Sequence, residues 1–112
     1  MKEKHQIFLV SDSIGETARI VFQTALTQFN VNDFEIHMFS FVKTNDEIDS
    51  IIYQAKQKNA SIIYTIVLKS AREHLKMQVR KYEILSQDLM TDNIRMLEKI
   101  SGRAPVNMPG QN

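Results

Sequence analysis

The stretch Ile7-Phe8-Leu9-Val10-Ser11-Asp12-Ser13-Ile14-Gly15-Glu16-Thr17-Ala18 runs from four consecutive apolar residues into three hydroxyls, two carboxylates and one glycine. The apolar run has the length and composition of a strand. Beyond it, Ile14, Ala18, Val21, Phe22, Ala25, Leu26 and Phe29 recur at spacings of three and four, the stripe of an amphipathic helix. The stretch therefore reads as a strand turning into a helix, and a polar loop sits at the turn.

The same alternation repeats along the chain. Asn30-Val31-Asn32-Asp33 makes a turn, and residues 34–39 alternate apolar with polar, as an edge strand exposed on one face does. A second helix is predicted over residues 46–58, with Ile48, Ile51, Ile52 and Ala55 inward. Residues 61–67 are almost continuously apolar, which fits a central parallel strand covered on both faces. A charged helix over 71–81, with Leu75 and Val79 inward, a short strand over 82–85, and a helix marked by Met90, Ile94 and Leu97 complete the pattern. That last helix stops at Ser101-Gly102, glycine being common just past a helix end.

Connections too long for hairpins imply parallel strands joined by right-handed crossovers. The expected fold is thus α/β, a three-layer sandwich with a mainly parallel sheet of about four strands. In such folds ligands sit beyond the carboxyl ends of the strands. Loops 11–16, 40–46, 68–70 and 86–90 should then share one rim. Residues 1–100 read as one domain. The tail over 101–112 holds two of the three glycines and both prolines and reads as a linker.

Composition narrows the function. The 112 residues are 43% hydrophobic and 24% charged, ordinary for a globular domain. Fourteen basic against thirteen acidic residues leave a net charge of +1, without the dense basic stripe of a nucleic-acid binder. There is no cysteine, so thiolate metal sites, thiol catalysis and disulfides are excluded. A charged start followed by only four apolar residues is neither a signal peptide nor a membrane span, and the expected location is the cytoplasm.

Ser13-Ile14-Gly15-Glu16 has the spacing of a capping box, in which the hydroxyl accepts from the fourth residue's amide and the carboxylate reaches back. The spacing recurs at Thr44-Glu47 and Ser70-Glu73, so capping alone accounts for Ser13 and Glu16. It does not account for Ser11, Asp12, Gly15 and Thr17. A glycine in a first helical turn admits close approach, and free helix amides attract phosphate. Two carboxylates in the same cradle would repel it. The six residues Ser11, Asp12, Ser13, Gly15, Glu16 and Thr17 are the candidate ligand or active-site rim. With glycines only at 15, 102 and 110, neither a Walker A loop nor a dinucleotide fingerprint exists. His5, His37 and His74 are scattered, and no metal site is expected. Ser70, Arg72, Glu73, His74, Lys76, Arg80 and Lys81 read as a solvated, alternating-sign helix face that could equally dock a partner. Asp88 falls on the rim or caps the helix after it.

The residues Leu9 to Ala18, with Phe41-Val42-Lys43-Thr44, Ile63 to Val67 and the helix end from Leu97 to Gly110, resemble the pyruvate, phosphate dikinase regulatory proteins and their phosphoenolpyruvate synthase counterparts. The resemblance covers essentially the whole chain. It implies a bifunctional enzyme that uses ADP to phosphorylate a threonine of the dikinase or synthase. The same enzyme would remove that phosphate with inorganic phosphate, releasing pyrophosphate. It implies the dikinase or synthase as partner, allows a homodimer, and gives no reason to expect nucleic acid or membrane. Relatives are more than twice as long and carry their phosphate-binding loop in the second half. No catalytic residue is therefore assigned in this chain, and ADP and phosphate are cofactors of the longer protein only. Where relatives commonly have Leu-Val-Asp-Pro after the third strand, this chain has Ile66-Val67-Leu68-Lys69-Ser70, losing an acid and gaining Lys69. The rival readings are a flavodoxin-like domain binding phosphate or flavin, and a non-catalytic interaction module.

Overall fold

Strand β1 (His5–Ser11) carries apolar side chains on both its faces, so it must lie inside the sheet with helices above and below. The computed structural model, which describes residues 3–109, places it there. It pairs in parallel with β2 (Phe34–Phe39) on one side and β3 (Ser61–Thr65) on the other, and β3 pairs in parallel with β4 (Ser86–Asp88). The order is β2-β1-β3-β4. Helices α1 (Glu16–Leu26), α2 (Asn45–Lys58), α3 (Lys69–Lys81) and α4 (Thr91–Ser101) alternate with the strands, and a 3-10 turn at Val31–Asp33 leads into β2. This is the expected α/β three-layer sandwich, with β2 on the predicted edge.

Alternation along the strands divides the core in two. Phe8 and Val10 of β1 and Ile62 and Tyr64 of β3 face α2 and α3, meeting Ile48, Ile51, Ile52, Leu75 and Val79 in the larger cluster. Ile7 and Leu9 face the other way, toward Ala18 of α1, in a smaller cluster edged by Phe22, Phe34 and Ile63. The asymmetry follows from connectivity. Right-handed crossovers from β2 to β3 and from β3 to β4 travel in one direction and share a face, whereas the β1-to-β2 crossover runs back and puts α1 on the other.

Several elements differ from the sequence reading. Helix α1 begins at Glu16, and its buried residues are Ala18 and Leu26; Ile14 is 64% exposed and Phe29 70%, outside the packed stripe. Strand β3 ends at Thr65 because the Val67 amide turns away to a side chain described below. The fourth strand is residues 86–88 rather than 82–85. Tyr82 to Ile84 instead close α3: the Ile84 amide donates to the Val79 carbonyl at 2.9 Å, Glu83 takes a left-handed φ of 52°, and Ile84 packs on the larger core. Finally, α4 has no buried residue among those described, and Leu97, one of the apolar residues that mark the helix, is 60% exposed. Gly102, left-handed with φ 68°, ends α4 as expected. Residues 110–112 of the predicted tail lie outside the described residues. Among those described, no helix is long and apolar enough to cross a membrane.

Candidate functional site

From β1 the chain crosses to β2 in one direction, and from β3 it crosses to β4 in the other. The two paths diverge at the carboxyl ends of β1 and β3, and in sheets of this order that divergence opens a crevice. A cleft of about 100 Å³ sits there, lined by Ser11, Asp12, Ser13, Gly15, Thr17, Thr65, Val67 and Met90. Five of the six candidate rim residues thus converge on one cleft. Glu16 does not: its carboxylate pairs with Arg19 one turn along α1.

The loop is built by tertiary bonds, not by a cap. Gly15 precedes α1 with φ 91°, in the left-handed region, and no side chain caps the helix. The capping box expected at Ser13 and Glu16 is therefore absent. The Ser13 amide instead donates to Ser11 Oγ at 3.1 Å, folding the loop on itself. From the neighbouring loop, the Val42 amide donates to the Ser11 carbonyl and the Phe41 amide to the Ser13 carbonyl, each at 2.9 Å, while Ser40 Oγ donates to the Ile14 carbonyl at 2.8 Å. Gly15 is buried beneath this seam, and an added Cβ would meet the Met38 methyl at 2.8 Å and Ser40 Oγ at 3.5 Å. The glycine thus admits the protein's own β2 loop to the backbone, where the sequence suggested a ligand.

Asp12 is 1% exposed and joins two elements distant in sequence. Its Oδ2 accepts from the amides of Val67 and Leu68, both at 2.9 Å, at the entry to α3. A carboxylate at that place suits the positive end of the helix and satisfies amides that would otherwise be orphaned. It also replaces the capping box predicted at Ser70 and Glu73, because α3 starts at Lys69 after Leu68 with no side-chain cap, and Ser70 lies inside it. The box predicted at Thr44 and Glu47 holds: Thr44 Oγ1 accepts from the Glu47 amide at 3.1 Å and Glu47 Oε1 accepts from the Thr44 amide at 3.1 Å. Hydrogen bonds from the Lys43 amide, then the Thr44 hydroxyl and amide, hold the Glu47 carboxyl below its ordinary range. Asp88 caps α4, accepting from the Met90 and Thr91 amides at 2.8 and 3.0 Å and from the Thr91 hydroxyl.

The charge objection to an anion is weaker in the structure than in the sequence. With Glu16 turned to Arg19, Asp12 is the one carboxylate on the cleft, and half of it is already engaged by backbone amides. Three hydroxyls, of Ser13, Thr17 and Thr65, line the opening with Ser11 behind them. The cleft is too small to enclose a flavin ring, since ligand pockets usually span roughly 300 to 1,000 Å³. It is the size of one small polar group.

Thr65 and Val67 were not among the sequence candidates. Thr65 had a signal, a hydroxyl within an apolar run, and it faces Ser11 in the parallel register. Val67 contributes through its backbone, which no side-chain pattern reveals. Arg72, read as part of a solvated face, is 8% exposed and donates through Nη1 to the Ile66 and Val67 carbonyls at 3.2 and 3.1 Å. His74 binds Asp49 at 2.7 Å, and with Gln78 holds that carboxyl below its ordinary range. His5 opens β1 against Phe34, and His37 lies within β2, bonded to Gln6. Among the described residues no three His, Asp or Glu side chains gather where a metal could bind.

The profile of the kinase/pyrophosphorylase family matches residues 7–112. The chain is 34% identical over 104 residues to a pyruvate, phosphate dikinase regulatory protein of Alkaliphilus metalliredigens, covering 93% of this chain and 38% of the relative. It is 36% identical over 104 residues to pyruvate, phosphate dikinase regulatory protein 2 of Syntrophomonas wolfei, with the same coverage of 93% and 38%. It is 36% identical over 110 residues to one from Halothermothrix orenii, covering 98% and 41%. The chain therefore spans about two fifths of the length of the curated relatives it matches.

Proposed function

This chain belongs to the kinase/pyrophosphorylase family, and from that premise we propose that it forms the N-terminal α/β part of a protein that regulates pyruvate, phosphate dikinase or phosphoenolpyruvate synthase. The regulator phosphorylates a threonine of that enzyme with ADP and removes the phosphate with inorganic phosphate, releasing pyrophosphate. The observation that carries this reading is the cleft between β1 and β3, where Ser11, Asp12, Ser13, Gly15 and Thr17 meet Thr65. At about 100 Å³ it is a partial site. It presents hydroxyls and one buried carboxylate, groups that position a substrate hydroxyl or a water near a phosphoryl group, and it offers no lysine or arginine to neutralise a nucleotide.

In this reading the nucleotide-binding loop lies in the part of the relatives' length that this chain does not match, and the Ser11–Thr17 loop stands beside it. The test is phosphoryl transfer from radiolabelled ADP to purified dikinase. The 112-residue chain alone is expected to transfer nothing. In a full-length relative, replacing the serine equivalent to Ser13 by alanine should slow transfer at least about tenfold, as for one lost positioning contact, with the thermal midpoint unchanged. Transfer by the short chain alone, or a full-rate serine variant, would sink the proposal.

A further inference from the structure

The segment Ile66-Val67-Leu68, between β3 and α3, is gripped from two sides by opposite charges. On one side Asp12 Oδ2 accepts from the amides of Val67 and Leu68, both at 2.9 Å. On the other, Arg72 Nη1 donates to the carbonyls of Ile66 and Val67 at 3.2 and 3.1 Å. The Ile66 carbonyl and the Val67 amide belong to one peptide group, and the Val67 carbonyl and the Leu68 amide to the next. Each of two successive peptide groups therefore has its N–H on the carboxylate and its C=O on the guanidinium. Asp12 and Arg72 are 1% and 8% exposed and form no direct ion pair among the described residues. Two peptide dipoles lie between them instead, positive ends toward the anion and negative ends toward the cation.

A peptide whose carbonyl is bonded to a cation becomes a stronger donor at its amide, and the effect runs in both directions. Bonds to charged groups are roughly twice as strong as neutral ones. The arrangement also leaves one carboxylate oxygen over. Both amides take Oδ2, and Oδ1 has no hydrogen bond among the described residues. Oδ1 keeps contact with solvent, since no fully buried side-chain oxygen among those residues lacks a partner, and Asp12 lines the β1–β3 cleft. Arg72 stands outside that cleft, its other nitrogens open to solvent between α3 and α4.

We propose that Arg72 is a positioning residue of the β1–β3 cleft, acting on Asp12 through these two peptide groups. It strengthens both bonds to Oδ2 and so holds the carboxylate with Oδ1 turned to the cleft, as the acceptor for an incoming hydroxyl. The cleft thereby gains a cation at one remove, with none in its lining. The hydroxyl's identity as a phosphoryl acceptor rests on the function proposed above. The link from Arg72 to Asp12 is a property of the 112-residue chain alone, and it stands or falls separately from that function.

The test compares 15N-labelled variants of the 112-residue chain by amide shifts and hydrogen exchange. Arg72→Lys keeps the charge, and Arg72→Met removes it while keeping most of the length. In Arg72→Met the Val67 and Leu68 amide protons should move upfield and exchange about tenfold faster, the loss of one charge-assisted contact. Arg72→Lys should bring both back toward wild type. In an Asp12→Asn background, where the anion is gone, Arg72→Met should speed those two amides by no more than about twofold further. The Leu75 and Val79 amides, on the packed face of α3, report whether the helix is intact. Arg72→Gln supplies a second neutral variant should Arg72→Met not fold. Unchanged Val67 and Leu68 amides in the neutral variant would overturn the proposal. So would equal effects of Arg72→Lys and Arg72→Met, or a full effect of Arg72→Met in the Asp12→Asn background.

Discussion

Asp12 shows how one side chain can carry both architecture and chemistry. Its Oδ2 bridges the end of β1 to the entry of α3, and the same carboxylate lines the cleft. Removing it leaves two amides facing a vacated, largely dry space, each costing about 1 to 3 kcal/mol. Asp12→Ala should therefore lower the unfolding free energy by about 3 kcal/mol in urea, and a loss below about 1 kcal/mol would mean that the bridge does not hold the sheet's carboxyl end together. Because the Val67 and Leu68 amides bond to it, Asp12 is tied to stability, and activity loss in Asp12 variants is not a clean measure of chemistry. Ser13 is the better probe, because among the described residues its hydroxyl bonds only with Ser11 Oγ, at 3.3 Å.

At the scale of elements, three identical capping spacings met three different fates. Thr44 and Glu47 form the box because the chain enters α2 in extended geometry, with Thr44 at φ −109° and ψ 154°. Ser13 cannot cap because Gly15's left-handed φ delays α1 to Glu16. Ser70 cannot because α3 has already begun at Lys69 under Asp12. Thr44→Ala should thus cost about 1 kcal/mol and Ser13→Ala less than about 0.5 kcal/mol, measured by thermal or urea unfolding near pH 7. The Glu47 carboxyl sits below its ordinary value of 4.5 in the folded chain, so its contribution is present above that pH and fades as the pH falls through the lowered value. The difference between the two variants should accordingly shrink in acid. Equal penalties for both at neutral pH would contradict the geometry.

Across the whole molecule, the packing is lopsided. The α2 and α3 face holds the larger core, α1 covers a smaller one, and α4 has no fully buried residue among those described. The radius of gyration is 14.5 Å, against about 13 Å for a compact domain of this length, and the extents are 53 × 31 × 22 Å. Met96, Leu97 and Ile100 stand open on α4. Stability should therefore reside in the β1-β3-α2-α3 unit. Leu75, with no exposure, packs at its centre, and Leu75→Ala should cost about 3 kcal/mol. Native-state hydrogen exchange should protect the amides of α2 and α3 most and those of α4 least; stronger protection in α4 than in α3 would refute this distribution.

The order of strands and helices, the sheet's parallel character, the edge position of residues 34–39 and the shared loop rim were all legible in the sequence, because hydrophobic period and connection length are local properties. So was the loop at residues 11–17, marked by polar residues and a glycine at a strand end. What local pattern could not decide was which partner each polar group takes. Ser13 and Ser70 carry the same spacing as Thr44, yet the amides that compete for them are set by a glycine dihedral and by Asp12 reaching across 55 residues. Glu16 turned out to Arg19, Arg72 turned in to two carbonyls, and Val67 entered the cleft by its backbone. A carboxylate or guanidinium gains most where desolvation is matched by specific donors or acceptors, and those arrive from elsewhere in the chain only once the sheet has formed.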